Sequence, residues 1–273
     1  MSKPQLHQSQ IRRLCLCGEQ FRRIYRCGER RPPGAAAYIG SANDLAHKKD
    51  LQTKIDDGHL EDLNTTSDIV RDSLNSMFEG GVHLAKGESE KAVRGNAIDK
   101  AVRMNKVRHE ELAPVIRPIA VGTKWVAELG GYPYDLAGEF DVEDEVIPIR
   151  DLKASGKYPP ATMADDSVQL DMYALYKHFC GGTNLPMQVA LDVVTDVMNK
   201  GGPKTTAKIL ISTRTEGHVQ SMLARVERIM ECLEKDVFIP ADPESWICSE
   251  KWCGFFNDCA YAKGRAQMGY DGG

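Results

Sequence analysis

The chain has 273 residues, 42% of them hydrophobic and 27% charged, an ordinary globular composition. No run approaches the roughly 18–20 apolar residues of a membrane span, and Met1 to Ser9 lacks the apolar core of a signal peptide, so a cytoplasmic protein with no membrane partner is the expectation. The formal net charge of −4 argues against a protein that coats nucleic acid nonspecifically.

Ser9 to Tyr25 is predicted as the first helix. Ser9 caps it, and Ile11, Leu14, Phe21, Ile24 and Tyr25 form its apolar stripe. Between Ile11 and Arg31 lie Arg12, Arg13, Arg22, Arg23, Arg26, Arg30 and Arg31, opposed only by Glu19 and Glu29. Such a strip can track a phosphate backbone, with Arg12, Arg13, Arg22 and Arg23 as candidate DNA contacts; it can equally be a solvated helix face. Arg31-Pro32-Pro33-Gly34 reads as a turn. Ser41 to Ile55 is a second helix entered through Gly40, and residues 56–67 read as a polar loop. Ser67 to Ala85 and Ser89 to Leu112 are two more helices. This stretch precedes any convincing strand, so 56–113 reads as a helical insertion or lobe.

The pattern changes at Pro114. Val115 to Leu129, Tyr134 to Val142 and Val146 to Leu152 read as consecutive strands, the first two joined through Gly130-Gly131. Asp166 to Phe179 is a helix. Gln188 to Val197 and Ala207 to Ser212 are strands flanking Gly201-Gly202-Pro203, and Thr215 to Lys235 is a long amphipathic helix. An irregular tail rich in Cys, Trp and Phe follows. The order implies one α/β or α+β domain over 1–273, a mixed central sheet flanked by helices.

The chemistry gathers around Asp141 and Asp151-Leu152-Lys153. Alternation along a strand puts Asp151 and Lys153 on one face, and a hairpin brings Asp141 alongside. Two carboxylates with a lysine beside them suit phosphodiester hydrolysis: hard oxygen ligands hold Mg²⁺ or Mn²⁺, and the lysine orients water or offsets developing charge. The Leu152 carbonyl is a further candidate ligand. Glu139 is read as facing away from Asp141 and is left out. Gln169 and Tyr173 share one face of the next helix.

Gly138-x-x-Asp141, Asp151-x-Lys153 and Gln169-x-x-x-Tyr173, in this order and spacing, resemble the RecB-like nucleases of the PD-(D/E)XK superfamily. The resemblance implies a restriction-endonuclease-like fold. It makes Asp141, Asp151, Lys153, Gln169 and Tyr173 the catalytic set, the last two near the metal shell or DNA. That family carries a His ligand four residues after a helix-entering Gly. Here Gly40 is followed at that spacing by Asp44, with His47 one turn on as the alternative ligand.

Eight cysteines in such a chain are not read as a disulfide framework. Cys180 and Cys232 read as plain buried thiols. Cys248, Cys253 and Cys259 are compactly spaced in the tail and need a fourth thiolate. In the iron–sulfur members of the same family, one N-terminal cysteine joins three C-terminal ones around a 4Fe–4S cluster, which makes Cys17 the fourth ligand here, with Cys15 facing elsewhere. Residues 245–262 would then pair with the helix over 9–26, and Trp246, Trp252, Phe255 and Phe256 would pack over the cluster; the alternative reading of these aromatics is stacking on single-stranded bases. A Cys₄ zinc site has the same ligand set.

The resemblance implies a Mg²⁺- or Mn²⁺-dependent deoxyribonuclease, an exonuclease on DNA ends or single strands, akin to CRISPR-associated and phage-type enzymes. With no Gly-x-x-x-x-Gly-Lys-Ser/Thr motif in the chain, unwinding would come from a helicase, recombination, CRISPR or phage partner. The competing readings are a degenerate fold that binds DNA or a partner without cutting, and a zinc-stabilised interaction protein.

Overall fold

The computed structural model describes residues 3–262. Met1 and Ser2 of the polar opening segment, and residues 263–273 of the single-domain expectation, lie outside the described residues. The chain opens with a short strand, β1 (Gln5–His7), and helix α1 (Gln8–Leu16). The cap is His7, not Ser9: the His7 N–H donates to the Gln10 side chain at 2.7 Å.

The single helix expected to reach Tyr25 is broken at Cys17, whose backbone is extended. Helix α2 (Gly18–Phe21) resumes after it and runs on through a widened turn over Arg22–Arg26. The break has a steric cause. The Gly18 N–H donates to the Ile239 carbonyl at 2.7 Å, and a Cβ at Gly18 would lie 2.6 Å from the Ile239 backbone. The C-terminal segment crosses here, and only glycine admits it. Gly18→Ala is expected to destabilise the protein by about 1–3 kcal/mol, the usual cost of overpacking. A lower urea midpoint at unchanged slope is the reading that checks it.

Helix α3 (Ala35–Asp57) begins well before Ser41, because Ala35-Ala36-Ala37 are strong helix formers directly behind Gly34; Gly40 is interior to it. Helix α4 (Leu63–Glu79) starts inside the predicted loop. Asp62 caps it, accepting from the Asn64 and Thr65 N–H groups. Helix α5 (Glu90–Val107) continues in a widened turn to Leu112.

Then come β2 (Pro118–Ala127), β3 (Asp135–Asp144), β4 (Ile149–Ser155), α6 (Val168–Phe179), β5 (Met187–Asn199), β6 (Gly202–Arg214) and α7 (Glu216–Glu234). The sheet is mixed and six-stranded, in the order β1-β3-β4-β5-β6, with β2 also on β3. β2 follows β3 along its length, so β1 and β4 share the other edge of β3, each over a short stretch. β1 with β3 and β4 with β5 are parallel pairings; β2 with β3, β3 with β4 and β5 with β6 are antiparallel. β5 and β6 form a longer ribbon than expected, paired from Met187–Arg214 to Asn199–Gly202. Pro203 is tolerated in it because β6 is an edge strand.

Helices cover both faces. On one, α3, α4 and α5 share a core with the sheet through Val70, Leu74, Ala101, Met104 and Val194. The segment read as an insertion or lobe thus packs as a layer on the sheet. On the other, Ile11 of α1, Leu170 of α6 and Val226 of α7 pack against Val189, Leu191 and Val193. β5 is covered on both sides, which explains its nearly unbroken apolar run. No described helix is long and apolar enough to cross a membrane.

Candidate functional site

β3 and β4 are bridged at one residue pair, Val142 with Arg150. There the Leu152 N–H donates to Asp141 Oδ2 at 2.9 Å, so a carboxylate stands in for a strand partner. Asp151, 1% exposed, accepts at Oδ1 from the Gln169 amide at 2.6 Å. Its Oδ2 pairs with the Lys153 ammonium, which also donates to Gln169 Oε1 at 2.8 Å. The Tyr173 hydroxyl donates to the Glu139 carbonyl at 2.8 Å and lies 3.4 Å from Asp151 Oδ1. The five residues of the catalytic set are therefore brought together, three from neighbouring strands and two from α6.

Helix α3 adds a second wall. Lys48 Nζ donates to Asp44 Oδ2 at 2.8 Å and to Glu139 Oε1 at 2.5 Å. Glu139 belongs to the site after all: it stands two positions before Asp141, an even spacing that alternation does not turn away. That spacing, and the helical i,i+4 step from Asp44 to Lys48, were the signals available in the sequence.

The charges are strained. Burial, then the Asp151 and Asp44 charges, lift the Asp141 pKa well above the carboxylate range, against Lys153 and the Leu152 N–H. Burial also raises Asp44, with Lys48 opposing and Glu139 and Asp151 adding. Burial opposes the charge on Lys153, yet Asp151 and Asp141 outweigh it and raise its pKa. An acid raised in the folded state holds its proton more tightly there. Its contribution is therefore most favourable below the unfolded value of about 3.9 and is lost as pH rises through the raised native value. Asn has no such proton to lose. Asp141→Asn is expected to gain stability over the parent chain as pH goes from about 4 to about 8 in chelator. Urea midpoints across that range check this, and a constant difference refutes it.

His47, the alternative to Asp44, faces elsewhere. It is fully buried, with Nδ1 3.1 Å from Arg108 Nη1, which also donates to Asp50 at 2.8 Å. Burial, then Arg108, Arg150 and Lys48, hold its pKa well below the usual value. Asp44 is thus the residue on the acid side of α3, and its Oδ1 is buried with no hydrogen-bond partner. An orphaned carboxylate oxygen beside mutually repelling acids fits a hard divalent cation. As placed, however, no three His, Cys, Asp or Glu side chains among the described residues form a metal-holding group.

The arginine strip divides. Arg12 is exposed and close enough for its charge to act on Lys153. Arg13 donates to Gln20 at 2.6 Å. Arg22 is paired with Glu19 at 2.8 Å. Arg23 is 9% exposed and tied to Glu29 and Asp258. Arg23 thus holds the N-terminal segment to the tail, a pairing no local pattern shows; it is not a free phosphate contact.

Cys17, Cys248, Cys253 and Cys259 line one cavity with Phe255 and Phe256. The Ala241 N–H donates to Cys17 Sγ at 3.3 Å. Burial pushes the Cys253 thiol pKa up, the Phe255 N–H and Gln20 oppose it, and Cys17 and Cys259 add to the rise. Four cysteines around an apolar cavity are the donor types of a thiolate-held iron–sulfur cluster or zinc, though as placed no three of them form a metal-holding group among the described residues. Cys15 faces away and is exposed. Phe255 and Phe256 line the cavity at 4% and 9% exposure, but Trp246 and Trp252 are 54% and 50% exposed and do not seal it. Cys180, expected buried, is exposed because α6 ends at it, and Cys232 is half-buried.

No family model matches the chain, and no curated protein is similar to it. Seven solved chains match. Among them is the crystal structure of SSO0001, similar over 93% of this chain and 96% of its own, at 11% identity and a TM-score of 0.32. A likeness that distant decides neither fold family nor function.

Proposed function

We propose that the chain is a divalent-cation-dependent deoxyribonuclease with a restriction-endonuclease-like site, acting as an exonuclease on DNA ends or single strands. The observation that carries this reading is the convergence of Asp141, Asp151, Lys153, Gln169 and Tyr173 where β3 and β4 meet. Asp44, Asp141 and Asp151, with the Leu152 carbonyl, would hold Mg²⁺ or Mn²⁺, which supplies Lewis acidity toward a phosphate.

The rest is the chain's own work. Lys153 presents its ammonium to the attacking water or to a phosphate oxygen as charge builds there. Gln169 and Tyr173 fix the Asp151 carboxylate, so the acid need not reorganise during the reaction. Lys48 steadies Asp44 and Glu139. The four cysteines would hold a 4Fe–4S cluster, or zinc, whose role is to tie α1 and α2 to the tail.

The test is cleavage of end-labelled single- and double-stranded DNA by the intact chain with Mg²⁺ or Mn²⁺. Shortening products from one end support the reading, and the ladder gives the polarity. One observation favours a second reading. Lys48 already holds Asp44, and Lys153 already holds Asp151, so the acids are partly neutralised without a cation. Tight DNA or partner binding without cleavage under either metal would make the chain a degenerate binding module. Iron and sulfide analysis with the visible spectrum of anaerobically purified protein separates an iron–sulfur cluster from zinc.

A further inference from the structure

Between the cysteine-rich tail and the segment over residues 31–37 runs a groove open to solvent. Trp246, Lys251 and Trp252 line it from the tail, and Arg31 with Pro32-Pro33 from the other side; Arg13 of α1 also faces into it. The two tryptophans are half-exposed and meet edge to face, ring centres 5.6 Å apart at 89°. An edge-to-face contact covers at most one ring face of the pair. Large exposed aromatics at one groove are not what a core or a cavity lid requires.

The charge points to the occupant. Arg13, Arg31 and Lys251 line the groove against one acid, Glu88, whose carboxylate already accepts from the Ala85 N–H at 2.8 Å. Arg31 is shared with Asp258 at 2.7 Å, and Lys251 lies 5.4 Å over the Trp252 ring. Open aromatic faces interleaved with cations suit unpaired bases on a phosphate backbone. A duplex hides its base faces, and a polypeptide gains nothing from the cations unless it is acidic.

The position fits as well. Arg12 and Arg13 are neighbours on α1. Helix α1 packs against α6, which carries Gln169 and Tyr173 of the acid site, while Arg13 lines the groove. One helix therefore borders both.

We propose that this groove binds single-stranded nucleic acid, with Trp246 and Trp252 stacking on bases and Arg13, Arg31 and Lys251 meeting the phosphates, and so guides one strand past α1 to the acid site. The inference rests on the nucleic-acid reading of that site.

The experiment reads binding, not cleavage. The full chain is titrated, without divalent cation, with fluorescein-labelled oligothymidylate of about twelve nucleotides, within the usual site size. Anisotropy and tryptophan emission are followed together. Trp125 is 3% exposed, so quenching reports Trp246 and Trp252. Saturable quenching is expected. Trp246→Ala and Trp252→Ala should each weaken binding by about tenfold. Trp252→Phe keeps an aromatic face and should retain most of the affinity, which separates stacking from a folding defect. Lys251→Ala should lower the salt slope by about 0.7, the loss of one phosphate contact.

Unchanged emission at saturation overturns the proposal, as does a double alanine variant that binds as tightly as the parent. So does tighter binding of a blunt duplex or of a proline-rich or acidic peptide. The two readings fail separately. Quenching with no cleavage after Mg²⁺ or Mn²⁺ is added removes the nuclease and keeps the groove. Cleavage with a KM for single strands that the tryptophan variants do not move removes the groove and keeps the nuclease.

Discussion

Lys153→Ala is expected to lower kcat for metal-dependent DNA cleavage by about 10²- to 10³-fold, the usual loss when one preorganised donor is removed from a developing negative charge. Asp151→Asn should cost at least as much. It removes the acid that holds Lys153, accepts from Gln169 and belongs to the proposed cation ligands. The asparagine oxygen can still accept from Gln169, so the fold should persist. The two losses should not add, because Asp151, Lys153 and Gln169 act as one bonded unit. Single-turnover cleavage by both single variants and the double variant is the measurement. Parent-like cleavage by Lys153→Ala would place the chemistry elsewhere.

The largest expected effect on stability lies one residue away, on the other side of β4. Arg150 and Asp192 form a doubly hydrogen-bonded pair, both contacts at 2.8 Å, at 3% and 0% exposure. Arg150→Met leaves the Asp192 carboxylate buried without its cation, and a loss of about 3–5 kcal/mol is expected. Burial already raises the Asp192 pKa, with Arg150 opposing. Once Arg150 is gone that rise grows. The penalty should therefore be small below the unfolded value of about 3.9 and full above the raised native value. Adding Asp192→Leu should recover much of the loss, since an apolar pair of similar volume often matches a buried ion pair. Urea unfolding of both variants at acid and neutral pH decides this. A pH-independent loss under about 1 kcal/mol would mean that water reaches the pair.

Much of the site was legible because its logic is local. Asp151 and Lys153 are two apart on a strand, and Gln169 and Tyr173 four apart on a helix, so periodicity puts each pair on one face; that the two pairs belong to one site came from the resemblance to the RecB-like nucleases. Five of the six strands were legible from alternation and turn glycines, but not their order in the sheet. What the sequence hid depends on distant chain. The break at Cys17 exists because Ile239 crosses Gly18, and Arg23 looks like a phosphate contact until Asp258 arrives beside it. Trp246 and Trp252 read as cavity lids because composition does not say which way an irregular tail turns. Strand β1, three residues long, is too short to show a period.

The tie between the first helices and the last segment also sets the order in which the molecule can be finished. Cys17 is 224 positions from Ala241, and Arg23 is 235 from Asp258. A ribosome adding about 5–20 residues per second needs on the order of ten seconds or more to make that separation. Throughout that interval Phe21 has no Phe238 to stack on, and Gly18 has no carbonyl to meet. The opening helices are therefore made first, and their contacts with the tail come last. A nascent chain that pauses before the tail emerges presents an open thiol and an apolar helix face, the kind of surface that chaperones hold.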